Sequence, residues 1–269
     1  MNVIEIKEQD KKEKQKEKNK RFALATALSG VGAGVGIQYG INPAFIKSNA
    51  EKYTNINTPE GLKIENAIIK AHKESTGLQN PQVATDLPGL PKHLKHGGYI
   101  PRHVMGASGL GKDINLPENE GLVIAGPTAT AFTLAHELGH RAQDYQRLAG
   151  PSQLAGQLLP NLAGLAATTA SMQAQTNRGA LAKGLLASYA LNLPRIAAEI
   201  KATSLGNSYL KSAGVKPSKT VSALQPLGYL LQPAAEGLVS IATGRVIKTI
   251  KTKLKNRKKQ KEEMLQAVQ

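Results

Sequence analysis

The stretch GLVIAGPTATAFTLAHELGHRAQDYQRLAG, residues 121–150, decides how this chain is read. Gly121–Gly126 is a short β-like run that stops at Gly126-Pro127, a turn signal. Thr128 or Thr130 can cap the helix that follows, and the pattern predicts that helix over Ala129–Leu148. Inside it, His136-Glu137-Leu138-Gly139-His140 has the form H-E-x-x-H. Histidines at i and i+4 lie one turn apart on one helix face, so each can offer a ring nitrogen to the same metal ion. Glu137, beside the first histidine, can reach a water at that ion without binding the ion itself. With six His among 269 residues, chance would produce the pattern in under about one per cent of shuffled chains, so coincidence is the weaker explanation. The competing reading is a helix whose two histidines serve packing alone.

Composition narrows what such an ion can rest on. The chain has no Cys, which excludes a disulfide framework, a Cys-ligated zinc finger, an iron–sulfur cluster and a thiol nucleophile. Any metal must therefore sit on His and carboxylates. A catalytic zinc needs three protein ligands and one open position. Asp144 continues the face of His136 at i+8, but it lies about 12 Å along the axis, too far to share an ion. Positions 143 and 146 are Gln, so no third histidine follows on the same helix. The remaining source is a carboxylate on a later helix, and only Glu199 and Glu236 precede the C-terminal tail.

Working outward, Thr58–Ser75 reads as an amphipathic helix with Leu62, Ile64, Ala67, Ile68 and Ala71 on one side. Pro81, Pro88 and Pro91 with Gly89, Gly97 and Gly98 then break the chain into loops through about residue 119. Downstream, Gln153–Met172 and Leu181–Ile200 read as helices joined by a polar turn at 177–179, together an antiparallel hairpin. A last apolar stretch, Val221–Gly244, is interrupted by Pro226, Pro233 and Glu236 and leads into a basic tail.

HELGHRAQ at 136–143, a helical hairpin, and Glu-Ile-Lys-Ala-Thr at 199–203 together resemble the neutral zinc metallopeptidases of bacterial membranes. These are relatives of the heat-shock and prenyl-protein membrane proteases, which carry H-E-x-G-H-x-x-Q and E-x-x-A-[Ser/Asp] signatures. The likeness spans about residues 97–210. Two features depart from the pattern: Thr203 stands where Ser or Asp is usual, and the apolar segments are poorer in Leu, Ile and Phe. The resemblance implies a mainly α fold with a small β element and a zincin-like core. It also implies His136, His140 and Glu199 as zinc ligands, Glu137 as the catalytic residue and a polypeptide substrate. Gly121–Gly126 would then be an edge strand to which an extended peptide adds, and Tyr209 or Arg195 could stabilise the developing oxyanion.

Charge is distributed unevenly. Residues 1–21 and 245–269 hold +10 of the net +16, while 22–46 carry no charged residue. The high net charge is thus a property of the ends, and with only three Phe and no Trp a base-stacking platform for nucleic acid is not expected. The run Lys248–Lys261 could meet nucleic acid or anionic lipid, although such runs are usually solvated helix faces. Segments near 22–41, 153–172, 181–198 and 221–244 are candidate transmembrane helices. If all span, the basic termini fall on the cytoplasmic side; the alternative is a helical bundle with at most the first segment inserted.

The expected organisation is a charged arm at 1–21, an apolar segment at 22–46, a helix and loop region at 47–120, a zinc metallopeptidase core at 121–210, apolar helices at 211–244 and a basic tail at 245–269. Two weaker patterns complete the reading. Gly106–Lys112 satisfies G-x-x-x-x-G-K, but Asp113 replaces the magnesium-binding Ser or Thr and no phosphate-holding helix is expected there. His93, His96 and His103 lie in a Pro/Gly-rich loop that is either solvated or a second metal site. The sequence therefore favours a membrane-associated zinc endopeptidase. Its rivals are a non-enzymatic membrane-active or structural protein, such as a virion component, with a vestigial HELGH, and a nucleic-acid binder acting through its tails.

Overall fold

The computed structural model describes residues 3–85, 97–101, 121–145 and 150–266. Its helices are α1 (Val3–Gly36), continued by a π-helical turn at Ile37–Ile41, α2 (Asn42–Lys52), α3 (Pro59–Thr76), α4 (Ala131–Tyr145), α5 (Gly150–Gln173), α6 (Asn177–Ser212) and α7 (Lys219–Gln266). Three short strands, β1 (Val83–Ala84), β2 (Gly98–Ile100) and β3 (Leu122–Ile124), form one sheet. The expected mainly α architecture with a small β element is therefore present. The G-x-x-x-x-G-K pattern at 106–112 and the histidines at 93, 96 and 103 lie outside the described residues.

The chain divides into two compact units, with α5, α6 and α7 each contributing to both. The unit that carries the H-E-x-x-H motif comprises the described parts of Gln38–Gln157 with Leu193–Leu230. Its core joins Ile56 and Ile68 to Phe132, Leu134 and Leu138 of α4 and to Leu210 of α6. α3 starts where its sequence says it should: the Thr58 hydroxyl accepts the Gly61 N–H at 3.0 Å, and Pro59 occupies the first turn, where a missing N–H costs nothing. It ends on Gly77, whose φ of 69° is the left-handed cap that glycine tolerates best. Its buried face is Gly61, Ile68, Ala71 and His72, whereas Leu62, expected on that face, is half exposed.

The sheet corrects one expectation. β3 lies in the middle, parallel to β1 and antiparallel to β2, with Val123 opposite both Val83 and Tyr99. Its backbone groups are already paired on both sides, so Gly121–Gly126 is not an edge to which a substrate strand could add. β3 is also buried throughout, which fits its short, continuous apolar run. After it, the Thr130 hydroxyl accepts the Thr133 N–H and donates to Asn49 Oδ1 at 2.7 Å, capping α4 and tying it to α2. The start of α7 is held by the Ser218 N–H donating to the Tyr53 hydroxyl at 2.6 Å.

The other unit comprises the segment ending at Ile37, Leu158–Asn192 and the segment from Leu231 onward. Gly184 of α6 faces the Ala167 carbonyl of α5, positions nearly equidistant from the turn between the helices, as an antiparallel hairpin requires. The break falls at 174–176, slightly before the expected 177–179, because the Thr176 hydroxyl caps α6 by accepting the Gly179 N–H. Close helix contact is made by small residues: a Cβ on Gly244 would collide with the Ser171 side chain and the Thr168 carbonyl. Arg245 and Lys248 donate to the Ala174 carbonyl at 3.0 and 2.6 Å, cations placed where a helix C-terminus leaves acceptors unpaired.

Among the described residues, no helix is long and apolar enough to cross a membrane. Lys183, Arg195 and Glu199 interrupt α6, and prolines, glutamines and Glu236 dilute α7.

Candidate metal centre

α4 and α6 bring the two motifs together because their backbones almost touch. A Cβ on Gly139 would fall 2.4 Å from the Ala202 carbonyl oxygen, and one on Gly206 would fall 2.9 Å from the Ala135 carbonyl oxygen. Ala202 itself is fully buried. Gln143, one turn beyond the histidines, donates its amide to the Gly139 and Ala198 carbonyls at 3.3 and 3.0 Å, tying the same two helices. Glu199, one turn before Thr203, is thereby held opposite the face of α4 that carries His136 and His140.

The resulting triangle is compact. His136 Nε2 is 3.2 Å from His140 Nε2 and 3.2 Å from Glu199 Oε2, and His140 Nε2 is 3.3 Å from the same oxygen. The two imidazole planes stand at 90°. His136 is buried, and His140 and Glu199 are only slightly accessible. Glu236, the other carboxylate left open by the sequence, instead accepts a hydrogen bond from Gln232 on its own helix. Asp144 accepts the Tyr99 hydroxyl at 2.6 Å, a structural role consistent with its exclusion as a ligand.

Two physical tests ask whether a metal fits. Ligand atoms about 2.0–2.1 Å from a tetrahedral ion are separated from one another by about 3.3–3.4 Å, and the three observed separations match those edges. Hydrogen bonding cannot account for the cluster equally well. His136 Nε2 faces three polar atoms at 3.2 Å, on His140, Glu199 and Gln225, yet an imidazole nitrogen carries one proton or one lone pair, not three. These residues could therefore hold a metal ion.

The surroundings set orientation and charge. Thr203 Oγ1 is 3.2 Å from His136 Nδ1. An Nδ1–H donated to that hydroxyl leaves the Nε2 lone pair facing the cluster, the tautomer a metal needs. The Phe132 ring lies nearly parallel to that of His136, with centroids 6.1 Å apart. Burial raises the pKa of the Glu137 carboxyl, against the opposing influence of the two histidines. For His140 burial acts to lower the pKa, but the charge and hydrogen bond of Glu199 and the charge of Glu137 outweigh it and raise the value. Burial acts to raise the Glu199 carboxyl, yet the paired histidines hold it well below the ordinary carboxylate range.

Of the two residues considered for oxyanion stabilisation, Tyr209 lies ten positions beyond Glu199, about 15 Å along α6. It packs against the His72 ring in the core. Arg195 lies nearer, with its guanidinium 5.1 Å from the centre of the Tyr229 ring. The pKa of Tyr229, which sequence reasoning did not single out, is raised first by burial and then by the negative charges of Glu199 and Glu137. Gln225, one turn before Tyr229 on α7, is the other residue missed. No local signal marks either, because only the tertiary path of α7 places them beside α4 and α6. No protein-family model, curated protein or solved structure matches this chain.

Proposed function

We propose that the protein is a zinc-dependent endopeptidase with a zincin-like core. The observation that carries the reading is the convergence of His136, His140 and Glu199 at tetrahedral spacing, with Glu137 adjacent to the first of them. His136, His140 and Glu199 would hold the zinc. When bound there, zinc would lower the pKa of a water towards about 7 and polarise the scissile carbonyl.

The chain's own groups would do the rest. Glu137, whose carboxyl pKa burial raises, takes the proton of the attacking water as the water oxygen bonds the carbonyl carbon. It then delivers that proton to the amide nitrogen as the C–N bond breaks. Thr203 keeps His136 in the ligating tautomer, and Gln143 and Gly139 keep α4 against α6. Casein digestion by zinc-loaded protein tests the reading: cleavage that a chelator abolishes and added zinc restores is expected. Zinc binding without any cleavage would instead favour a non-enzymatic protein with a vestigial motif.

Membrane-surface association belongs to the same proposal. It is supported by basic runs at both ends of the chain and by Leu24, Leu28, Val31 and Val35, exposed apolar side chains at helical spacing on α1. Sedimentation with anionic but not neutral vesicles is expected, and an equal lack of binding to both would remove this part of the proposal.

A further inference from the structure

Gln225 faces a nitrogen of the centre at which accepting a hydrogen bond and ligating a metal exclude each other. Its Nε2 lies 3.2 Å from His136 Nε2. On the other side of that ring, Nδ1 faces the Thr203 hydroxyl at 3.2 Å, so a proton on Nδ1 leaves Nε2 a single lone pair. That lone pair can accept the Gln225 N–H or bind a metal, but not both.

When the lone pair is committed to a metal, the Gln225 amide needs a new acceptor. It cannot easily turn away, because the side chain is partly buried and one turn later on α7 the Tyr229 ring packs under the Arg195 guanidinium of α6. With the ring nitrogens of His136 and His140 and Oε2 of Glu199 taken up as ligands, an oxygen approaching the open side of the ion would offer that amide an acceptor. A half-buried amide left without a partner would cost free energy, which drives it toward that oxygen.

We propose that Gln225 is the hydrogen-bond donor for the oxygen that completes the site, water in the absence of substrate and the scissile carbonyl oxygen in its presence. The identity of the second oxygen rests on the endopeptidase reading, but the donor role rests only on the metal. Gln225 thus takes the place that the sequence offered to Tyr209, and Arg195 becomes a residue that seats Tyr229.

The test uses full-length protein loaded with cobalt(II), with acetohydroxamate as an oxygen-donor probe followed by the visible spectrum of the metal. Hydrogen bonds to charged oxygens are worth enough that Gln225→Leu should weaken acetohydroxamate binding about ten-fold or more, with cobalt affinity changed by less than about three-fold. Gln225→Ala should behave alike, and cobalt stoichiometry with far-ultraviolet circular dichroism reports whether each variant is folded. Acetohydroxamate affinity within about three-fold of wild type overturns the proposal. So does a loss of cobalt affinity of more than about ten-fold, which would make Gln225 a ligand rather than a donor. Failure of the endopeptidase reading shows separately, as casein left uncut by a protein whose acetohydroxamate binding still depends on Gln225; a protein that binds no cobalt defeats both.

Discussion

Gly139 of α4 rests directly on the backbone of Ala202 in α6, so close that a Cβ there would lie 2.4 Å from the Ala202 carbonyl oxygen. Main chain cannot give way as a flexible side chain can, so the helices must part if the glycine gains a methyl group. Gly139→Ala is expected to destabilise the fold by about 1–3 kcal/mol and to weaken metal binding, because Glu199 would move away from the histidines. Urea unfolding and a zinc-chelator competition read the two effects; an unchanged midpoint and affinity would show that the contact is not needed.

Thr203 stands where the resembled signature has Ser or Asp, and its hydroxyl faces His136 Nδ1. Thr203→Val keeps the shape and removes the acceptor that fixes the tautomer, and should lower zinc affinity about 10- to 100-fold. Thr203→Ser retains the hydroxyl and should stay within about three-fold of wild type by the same competition assay.

Removing a ligand should be more severe. His140→Ala leaves two of the three converging atoms, and near-stoichiometric zinc should fall to background by metal analysis. The rise in thermal midpoint that zinc confers on wild type should vanish with it, since a ligand stabilises only the state it binds.

His72 is fully buried, its ring edge-on to that of Tyr209. Among the described residues neither of its ring nitrogens has a partner that meets hydrogen-bond geometry. Burial, and secondarily the charge of Arg141, depresses its pKa to about 4. The unfolded chain therefore takes up the proton first, near pH 6.5. Stability from the neutral ring is fully present above that pH and is lost as pH falls toward about 4, by about 3 kcal/mol in all. Urea unfolding between pH 7 and pH 4 should show a shallower loss in His72→Leu than in wild type. Parallel curves would contradict the assignment.

The fold and site were legible to different depths. The H-E-x-x-H helix announced itself, because i and i+4 spacing, a capping threonine and a preceding apolar run are local signals. The helical hairpin was equally readable, and Thr58 with Pro59 marked the start of α3. The choice between Glu199 and Glu236 was not local: resemblance pointed to Glu199, and the close packing of Gly139 and Gly206 supplies its physical basis. β3 was read as an edge strand because the partners that make it central are two- and three-residue strands without a sequence signature. The apolar segments looked like membrane spans because small residues that pack helices together also raise apparent apolarity, as Gly184 and Gly244 show. Gln225 and Tyr229 were invisible, since their role depends on where α7 begins, and the Tyr53 to Ser218 hydrogen bond that anchors it spans 165 positions.

The most direct test of the central claim is casein cleavage by zinc-loaded Glu137→Gln beside wild type, with zinc content measured on the same samples. The substitution keeps the side chain's size and removes the proton acceptor. Equal zinc, about one ion per chain, with cleavage reduced at least about 100-fold is the expected result. Equal zinc with cleavage undiminished would contradict the assignment of Glu137 and with it the zinc endopeptidase mechanism.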